Sequence, residues 1–322
     1  MDLSRMIWAL LVLVVVFAVP FVVERRRTVM SDGRRGAAPG QFVELSQGVT
    51  HFQLGGPPDG PLIICVHGLT TPSFVWTGLA KGLAAKGFRV LTYDLLGRGF
   101  SDRPGGLQDK EFFLTQLDDL LDHIEVDETF HLIGYSMGGA IAAAFAAGNP
   151  DRVERLVLLA PAGMVLRNTR ALRFARERGL LGTWAMLVTF PRRLRTSIRA
   201  AHEDHTSVPN IAELMARELT FQGYVPAVLS SLRGVLAHPM ESAHLSIRRA
   251  GIPTLAIWGE DDDVVPASAM GQLAAWNRDV RHEVVEGAAH GLPHTHTKAV
   301  LAHLERFLPP PQAPTLAAPS PA

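Results

Sequence analysis

The apolar and polar positions along this chain fall into distinct regimes. Residues 6–23 form an unbroken run of 18 residues without a charge. As a helix that run reaches about 27 Å, close to the hydrocarbon thickness of a bilayer. Farther on, short runs rich in Leu, Ile and Val (Leu62–Val66, Phe130–Tyr135, Val153–Leu159, then 254–258 and 282–285) alternate with longer amphipathic stretches. Continuous apolar runs of that length are the pattern of strands buried on both faces. Two antiparallel strands are expected around residues 41–54. Strand and helix in alternation predict an α/β fold, a mainly parallel sheet covered by helices on both faces. Residues 163–246 break the alternation and read as an inserted block of helices. Residues 309–322, mostly proline and alanine, have almost nothing to bury and are expected to form a disordered tail. The chain thus divides into an anchor and basic linker (1–40), a core in two pieces (41–162 and 247–308), a helical insertion (163–246) and the tail (309–322).

The first run reads as a membrane anchor. Val16-Phe17-Ala18 is a passable small-x-small cleavage site, but apolar residues continue beyond it, and the segment before the run, with Asp2 and Arg5, is hardly basic. Pro20 falls near the end of the run, where a break in the helix is tolerable. Arg25, Arg26, Arg27, Arg34 and Arg35 crowd the downstream flank, so the positive-inside rule predicts a single-pass protein with its main domain in the cytoplasm.

Candidate chemistry starts at Gly134-Tyr135-Ser136-Met137-Gly138-Gly139. An apolar strand enters this segment and an alanine-rich helix leaves it, so Ser136 sits on a sharp strand-to-helix turn. Glycine is expected at 134 and 138 because side chains there would collide across the bend. Ser136 itself is expected in a strained backbone conformation. A serine hydroxyl is a weak nucleophile at neutral pH; it needs a histidine to take its proton and a carboxylate to orient that histidine. Suitable groups lie downstream. The strand at 254–258 is followed by Gly259-Glu260-Asp261-Asp262-Asp263-Val264-Val265-Pro266, and the strand at 282–285 by Glu286-Gly287-Ala288-Ala289-His290. Each group therefore sits just past the C-terminal end of a strand, the edge of an open parallel sheet where ligands bind.

Together with Leu62–Val66 running into His67-Gly68-Leu69, and with Asp94-Leu95-Leu96-Gly97-Arg98-Gly99-Phe100-Ser101, these segments resemble the α/β-hydrolase family over roughly residues 41–308. The order Ser, Asp, His along the chain is that family's order. The resemblance implies the α/β-hydrolase fold, with residues 163–246 as a cap over the site. It assigns Ser136 as nucleophile, His290 as general base and later acid, and Asp262, four residues before Pro266, as the orienting carboxylate. Asp261 and Asp263 remain competitors for that role, and Glu260 reads as a turn residue. The backbone N–H groups of Leu69 and Met137 would form the oxyanion hole, the latter at a helix start that favours negative charge. The activity implied is hydrolysis of a carboxylic ester through an acyl-enzyme. Anchor and apolar cap favour a lipid-like ester such as a monoacylglycerol. Members that cleave carbon–carbon bonds share the triad but usually carry tryptophan after the catalytic histidine and a serine-rich oxyanion loop, where this chain has Gly291 and Leu69-Thr70-Thr71. An acyltransferase of the same fold remains open, and a non-catalytic binding protein is disfavoured by the complete set of groups.

Composition narrows the picture further. Formal net charge is zero, which gives no sign of a nucleic-acid partner. Cys65, the one cysteine, lies in an apolar strand and reads as a core residue. His67 reads as support for the oxyanion loop. His202-Glu203-Asp204-His205 lacks the two-histidine spacing of a zinc protease, so no metal site and no cofactor are expected. His294 and His296 read as the start of the last helix. Gly97-Arg98-Gly99 lacks the third glycine of a nucleotide loop and reads as a turn. Between residues 163 and 200 there are nine arginines and one acidic residue, Glu177, interleaved with Leu180, Leu181, Trp184, Met186, Leu187, Val188 and Phe190. That mixture suits either an anionic bilayer surface or an ordinary amphipathic cap with an apolar pocket beneath it. The sequence leaves the oligomeric state open.

Overall fold

The structure is a computed structural model that describes residues 2–36, 38–165, 169–200 and 206–311. His202 to His205 and most of the expected tail lie outside the described residues. Eight strands build one sheet: β1 (Gln41–Leu45), β2 (Gly48–Gly55), β3 (Leu62–Val66), β4 (Arg89–Tyr93), β5 (Phe130–Tyr135), β6 (Val153–Leu159), β7 (Thr254–Gly259) and β8 (Arg281–Val285). Their order is β1-β2-β4-β3-β5-β6-β7-β8. β2 runs antiparallel to β1 and β4, and every pairing from β4 to β8 is parallel.

Because strand side chains alternate, one strand feeds two cores. Leu62, Ile64 and Val66 of β3 join the core packed by helices Lys110–His123 and Met137–Gly148. Ile63 and Cys65 face the other, packed by helices Thr77–Ala85 and Thr297–Phe307. Cys65 is fully buried there, and burial pushes its thiol far above the usual range. Helix Met137–Gly148 is buried from Met137 through Ala146, which explains why it is apolar all round rather than striped.

The chain reverses its direction of travel across the sheet at β3: β4 lies on one side of it and β5 on the other. Such a switch point opens a crevice at the carboxyl ends of the two diverging strands. β3 ends at the His67-Gly68-Leu69 loop and β5 ends at Ser136, so the two loops flank that crevice. Between β6 and β7 run the helices Arg170–Glu177, Gly179–Ala200, Ile211–Glu218, Tyr224–Arg233 and Glu241–Ala250.

Helix Leu3–Arg25 spans 23 residues and is long and apolar enough to cross a membrane. The helix runs through Pro20 without a break.

Candidate active site

Ser136 forms the junction of β5 and helix Met137–Gly148, with φ 53° and ψ −117°. A non-glycine residue at positive φ is strained and has to be held by its surroundings. Here the backbone holds it on both sides. Ser136 N–H donates to Leu159 O at 2.9 Å, and its carbonyl accepts from the N–H groups of Gly139 and Ala162, both at 2.9 Å. A Cβ at Gly134 would lie 2.3 Å from the carbonyl oxygen of Gly138, across the bend as expected. The second glycine has a different cause: a Cβ at Gly138 would meet the carbonyl oxygen of Val66, on neighbouring β3, at 2.0 Å.

His290, past β8, places Nε2 3.0 Å from Ser136 Oγ and Nδ1 2.8 Å from Asp262 Oδ2. With the carboxylate accepting from Nδ1–H, the Nε2 lone pair faces the hydroxyl. The other oxygen of Asp262 accepts from the N–H groups of Val264 and Val265, both at 2.8 Å. Burial works against ionisation of Asp262, but the bond from His290 and those two amides prevail and hold its carboxyl below the usual range. Asp261 and Asp263 point into solvent, and Glu260 accepts from Gly287 N–H at 3.0 Å. Of the acidic run, Asp262 is thus the residue brought to His290. Tyr135 O–H donates to the backbone carbonyl of His290 at 3.0 Å, which ties the histidine loop to the strand carrying Ser136. The three side chains form a proton path in which the hydroxyl can lose its proton as it attacks a carbonyl carbon.

On the other wall stands the loop after β3. His67 is fully buried; its Nδ1–H donates to Gly68 O at 2.8 Å and its Nε2 accepts from Leu95 N–H at 2.8 Å. Burial pushes it down to about 4, so it stays neutral and holds the loop, as the sequence suggested. Gly68 passes so close that a Cβ would lie 3.3 Å from Ser136 Cβ. Met137 is the first residue of its helix, and an N–H in that position has no partner within the helix.

Residues that sequence reasoning did not single out hold this loop from outside. Arg98, fully buried, donates to Leu69 O at 3.2 Å, Leu96 O at 3.0 Å and Ser231 Oγ at 2.7 Å, and also to Gln108 Oε1. Tyr224, also buried, donates its hydroxyl to Thr70 O at 3.1 Å. Ser231 and Tyr224 belong to helix Tyr224–Arg233, so the inserted helices grip the loop that leads to Leu69. The Gly97-Arg98-Gly99 turn is what allows it. Gly97 has φ 95° and Gly99 φ 56°, and a Cβ at Gly99 would lie 2.1 Å from Asp94 Oδ2. The glycines were legible as a turn; the arginine between them, buried rather than solvated, left no signal in the sequence.

Two further histidines follow His290 closely along the chain. His294 lies in the short helix Leu292–Thr295, one element earlier than expected, and His296 caps the last helix. His294 is buried and pushed down to about 4, by burial first and by its nearness to His290 second. Among the described residues no group of His, Cys, Asp and Glu could hold a metal ion.

The sequence matches the alpha/beta hydrolase fold family over residues 61–297, and the chain belongs to that family. Within it, an uncharacterized protein of Mycobacterium tuberculosis is 27% identical over 274 residues, covering 80% of this chain and 77% of that protein. A 2-hydroxymuconate semialdehyde hydrolase of a Pseudomonas species is 29% identical over 220 residues, or 66% of this chain and 75% of that enzyme. Among solved structures, a membrane phospholipase A described as a bacterial virulence factor superposes with a TM-score of 0.69 at 23% identity, covering 95% of this chain and 98% of that one. At that identity the likeness is one of fold.

Proposed function

We propose that this hydrolase is a membrane-anchored serine esterase acting on a lipid-like carboxylic ester such as a monoacylglycerol. The observation that carries the reading is the hydrogen-bonded chain Ser136–His290–Asp262 on a strained elbow. Ser136 Oγ attacks the ester carbonyl carbon while His290 Nε2 takes the hydroxyl proton. The negative charge gathers on the former carbonyl oxygen, opposite the N–H groups of Leu69 and Met137. Collapse of that intermediate expels the alcohol, which leaves with the proton from His290, and the acyl group stays on Ser136. Water, deprotonated by His290, then attacks the acyl carbon; as this second intermediate collapses, the acyl–Oγ bond breaks, His290 returns the proton to Ser136 Oγ, and the acid departs. Asp262 keeps the imidazole in the right tautomer and stabilises its protonated form. No step calls for a metal or cofactor.

The ester class rests on helix Leu3–Arg25 and on the apolar residues of the inserted helices. Ser136→Ala should abolish labelling by a fluorophosphonate probe in protein that remains folded; undiminished labelling would move the nucleophile elsewhere. A series of p-nitrophenyl esters and monoacylglycerols tests the substrate, and a preference for the shortest acids would defeat the lipid reading. Carbon–carbon bond cleavage is the second reading, favoured by the likeness to the 2-hydroxymuconate semialdehyde hydrolase. A ring-cleavage dienoate assayed beside the esters separates the two. For topology, the basic flank Arg25 to Arg27 supports a hydrolase domain on the cytoplasmic side. Digestion of that domain by protease added outside spheroplasts would reverse the orientation.

A further inference from the structure

Helix Leu3–Arg25 does not stand away from the domain. Phe17, Pro20, Phe21 and Glu24, spaced for one helical face, are its partly or fully buried positions towards the C-terminal end. On this side the helix meets helix Gly179–Ala200. Phe17 and Trp184 stack with ring centroids 6.3 Å apart and planes 6° from parallel. Trp184 Nε1–H donates to Val16 O at 3.4 Å. That carbonyl is the one whose helical donor would be residue 20, and proline has no N–H. The indole therefore supplies the bond that Pro20 withholds, in a setting where an unsatisfied carbonyl is costly. At the end of the helix Glu24 Oε1 accepts from Gly223 N–H at 2.7 Å. Thr28 pairs with Phe221 through backbone bonds: Thr28 N–H to Thr220 O at 3.0 Å and Gln222 N–H to Thr28 O at 2.9 Å. The anchor is fastened to the inserted helices at two levels.

The upper level has a geometric consequence. Val16 lies nine residues before Arg25, about 13 Å along the helix axis and less for a tilted helix. A side chain that touches Val16 and Phe17 is therefore on the lipid side of the basic flank. The helix bearing Trp184 is suited to that place. Residues 179–191 include no charge and are bounded by Arg178 on one side and Arg192-Arg193 on the other. A stretch of this length matches an interfacial or re-entrant segment rather than a span. Leu180, Leu181 and Val188 are 62%, 55% and 36% exposed, although a protein surface in water gains nothing by exposing them. The backbone at the start of this helix is also well supplied: Arg233 donates to the carbonyls of Ala175 and Gly179 at 2.7 and 2.8 Å and to Thr183 Oγ1 at 3.2 Å.

We propose that residues 179–191 form a second membrane element, with the Leu180, Leu181 and Val188 surface set into the same leaflet as the anchor and Arg178, Arg192 and Arg193 at the level of anionic headgroups. The occupant of this surface is the acyl layer of a bilayer. The stack and the indole bond to the anchor fix its depth, and the arginines give it charge complementarity. Phe190, at the far end of the run, packs against Tyr224 with centroids 6.4 Å apart, and Tyr224 holds Thr70 beside Leu69. The lipid-facing helix thus reaches the loop that flanks Ser136 through two side chains. The inference rests on reading Leu3–Arg25 as a span, not on which ester is cleaved.

Spin labels on full-length protein in phosphatidylcholine–phosphatidylglycerol vesicles test it. Cys65 is fully buried and stays unlabelled. Single labels at Val12→Cys, Leu181→Cys, Val188→Cys and Arg195→Cys are compared for collisions with oxygen, which concentrates in lipid, and with a water-soluble nickel chelate. Labels at 181 and 188 should match that at 12, relaxed by oxygen and shielded from nickel, while the label at 195 meets nickel. Nickel access at 181 and 188 with the label at 12 still in lipid overturns the proposal and leaves the anchor standing. Nickel access at 12 overturns both. Spin–spin broadening at 181 or 188 that persists on dilution into excess lipid would assign the surface to a second copy of the chain instead. The labels report without any turnover, so an inactive variant still decides.

Discussion

Three consecutive aspartates follow β7, and the backbone around them decides their roles. Asp262 has one oxygen on His290 and the other on two amides, whereas Asp261 and Asp263 face solvent. Asp262→Asn keeps the shape but leaves an amide that favours the wrong imidazole tautomer. Turnover should fall by about 10⁴-fold with little change in KM. Asp261→Asn and Asp263→Asn should leave kcat unchanged; a large loss at either would give that residue the role instead. The elbow glycines carry a second prediction. At Gly138 an added methyl meets backbone on β3 at 2.0 Å, and backbone in the middle of a parallel sheet cannot step aside cheaply. Gly138→Ala should therefore destabilise the fold by about 3 kcal/mol or more, read as a lowered thermal midpoint. Residue types just past strand ends made Ser136 and His290 legible, whereas within the acidic run the family resemblance favoured Asp262 and left Asp261 and Asp263 as competitors until the bond to His290 separated them. Arg98 and Tyr224 were not legible, since their work depends on being buried against the loop after β3, and no local pattern announces a buried arginine.

Among elements, the central strands β3 and β5 read cleanly because burial on both faces makes them almost wholly apolar, and β5 and β6 begin and end where the runs do. Helix pairing was another matter. Helix Leu3–Arg25 and the arginine-flanked run 179–191 were each visible, but the bond between them joins residues 168 apart, a separation at which neither segment carries a trace of the other. Pro20 illustrates the cost of reading an element alone. In isolation it marks a place near the end of the run where a break would be tolerable; beside Trp184 it frees a carbonyl that a neighbouring indole takes. A double-mutant cycle isolates that coupling. Trp184→Phe keeps a ring against Phe17 but removes the donor, and should cost roughly 1 kcal/mol in the wild-type background. Pro20→Ala restores an N–H within reach of Val16 O, so Trp184→Phe made on top of it should cost less. Thermal midpoints of the four proteins in detergent measure the difference, and strictly additive changes would show that the indole bond contributes nothing.

At the scale of the whole molecule, the inserted helices tie helix Leu3–Arg25, the loop after β3 and the core together through buried polar contacts, and such contacts should set the pH dependence of stability. His67, His244 and His294 are each pushed down to about 4, burial being the first cause in every case. Their unfolded value is near 6.5, so between pH 6.5 and about 4 the unfolded chain binds more protons than the folded one, and stability falls as pH falls. Glu218 has the opposite sense. Its carboxyl accepts from Gly99 N–H at 2.9 Å and lies 3.3 Å from Arg103, yet burial outweighs both and raises it to about 7. From its ordinary value near 4.5 up to about 7, the folded state holds the extra proton, so this group's contribution is complete below 4.5 and is lost as pH rises through 7. Three histidines outweigh one glutamate on the acid side, which puts the stability maximum close to neutral, with a steep fall below pH 6.5. Glu218→Gln removes the acid but keeps an acceptor for Gly99 and Arg103. Relative to wild type, it should therefore be more favourable at pH 8 than at pH 5, by a margin of at most about 3 kcal/mol. Thermal midpoints of both proteins across that range test the sign, and a wild-type-to-variant difference that stays constant with pH would mean that Glu218 is ionised throughout, its burial fully offset by Arg103.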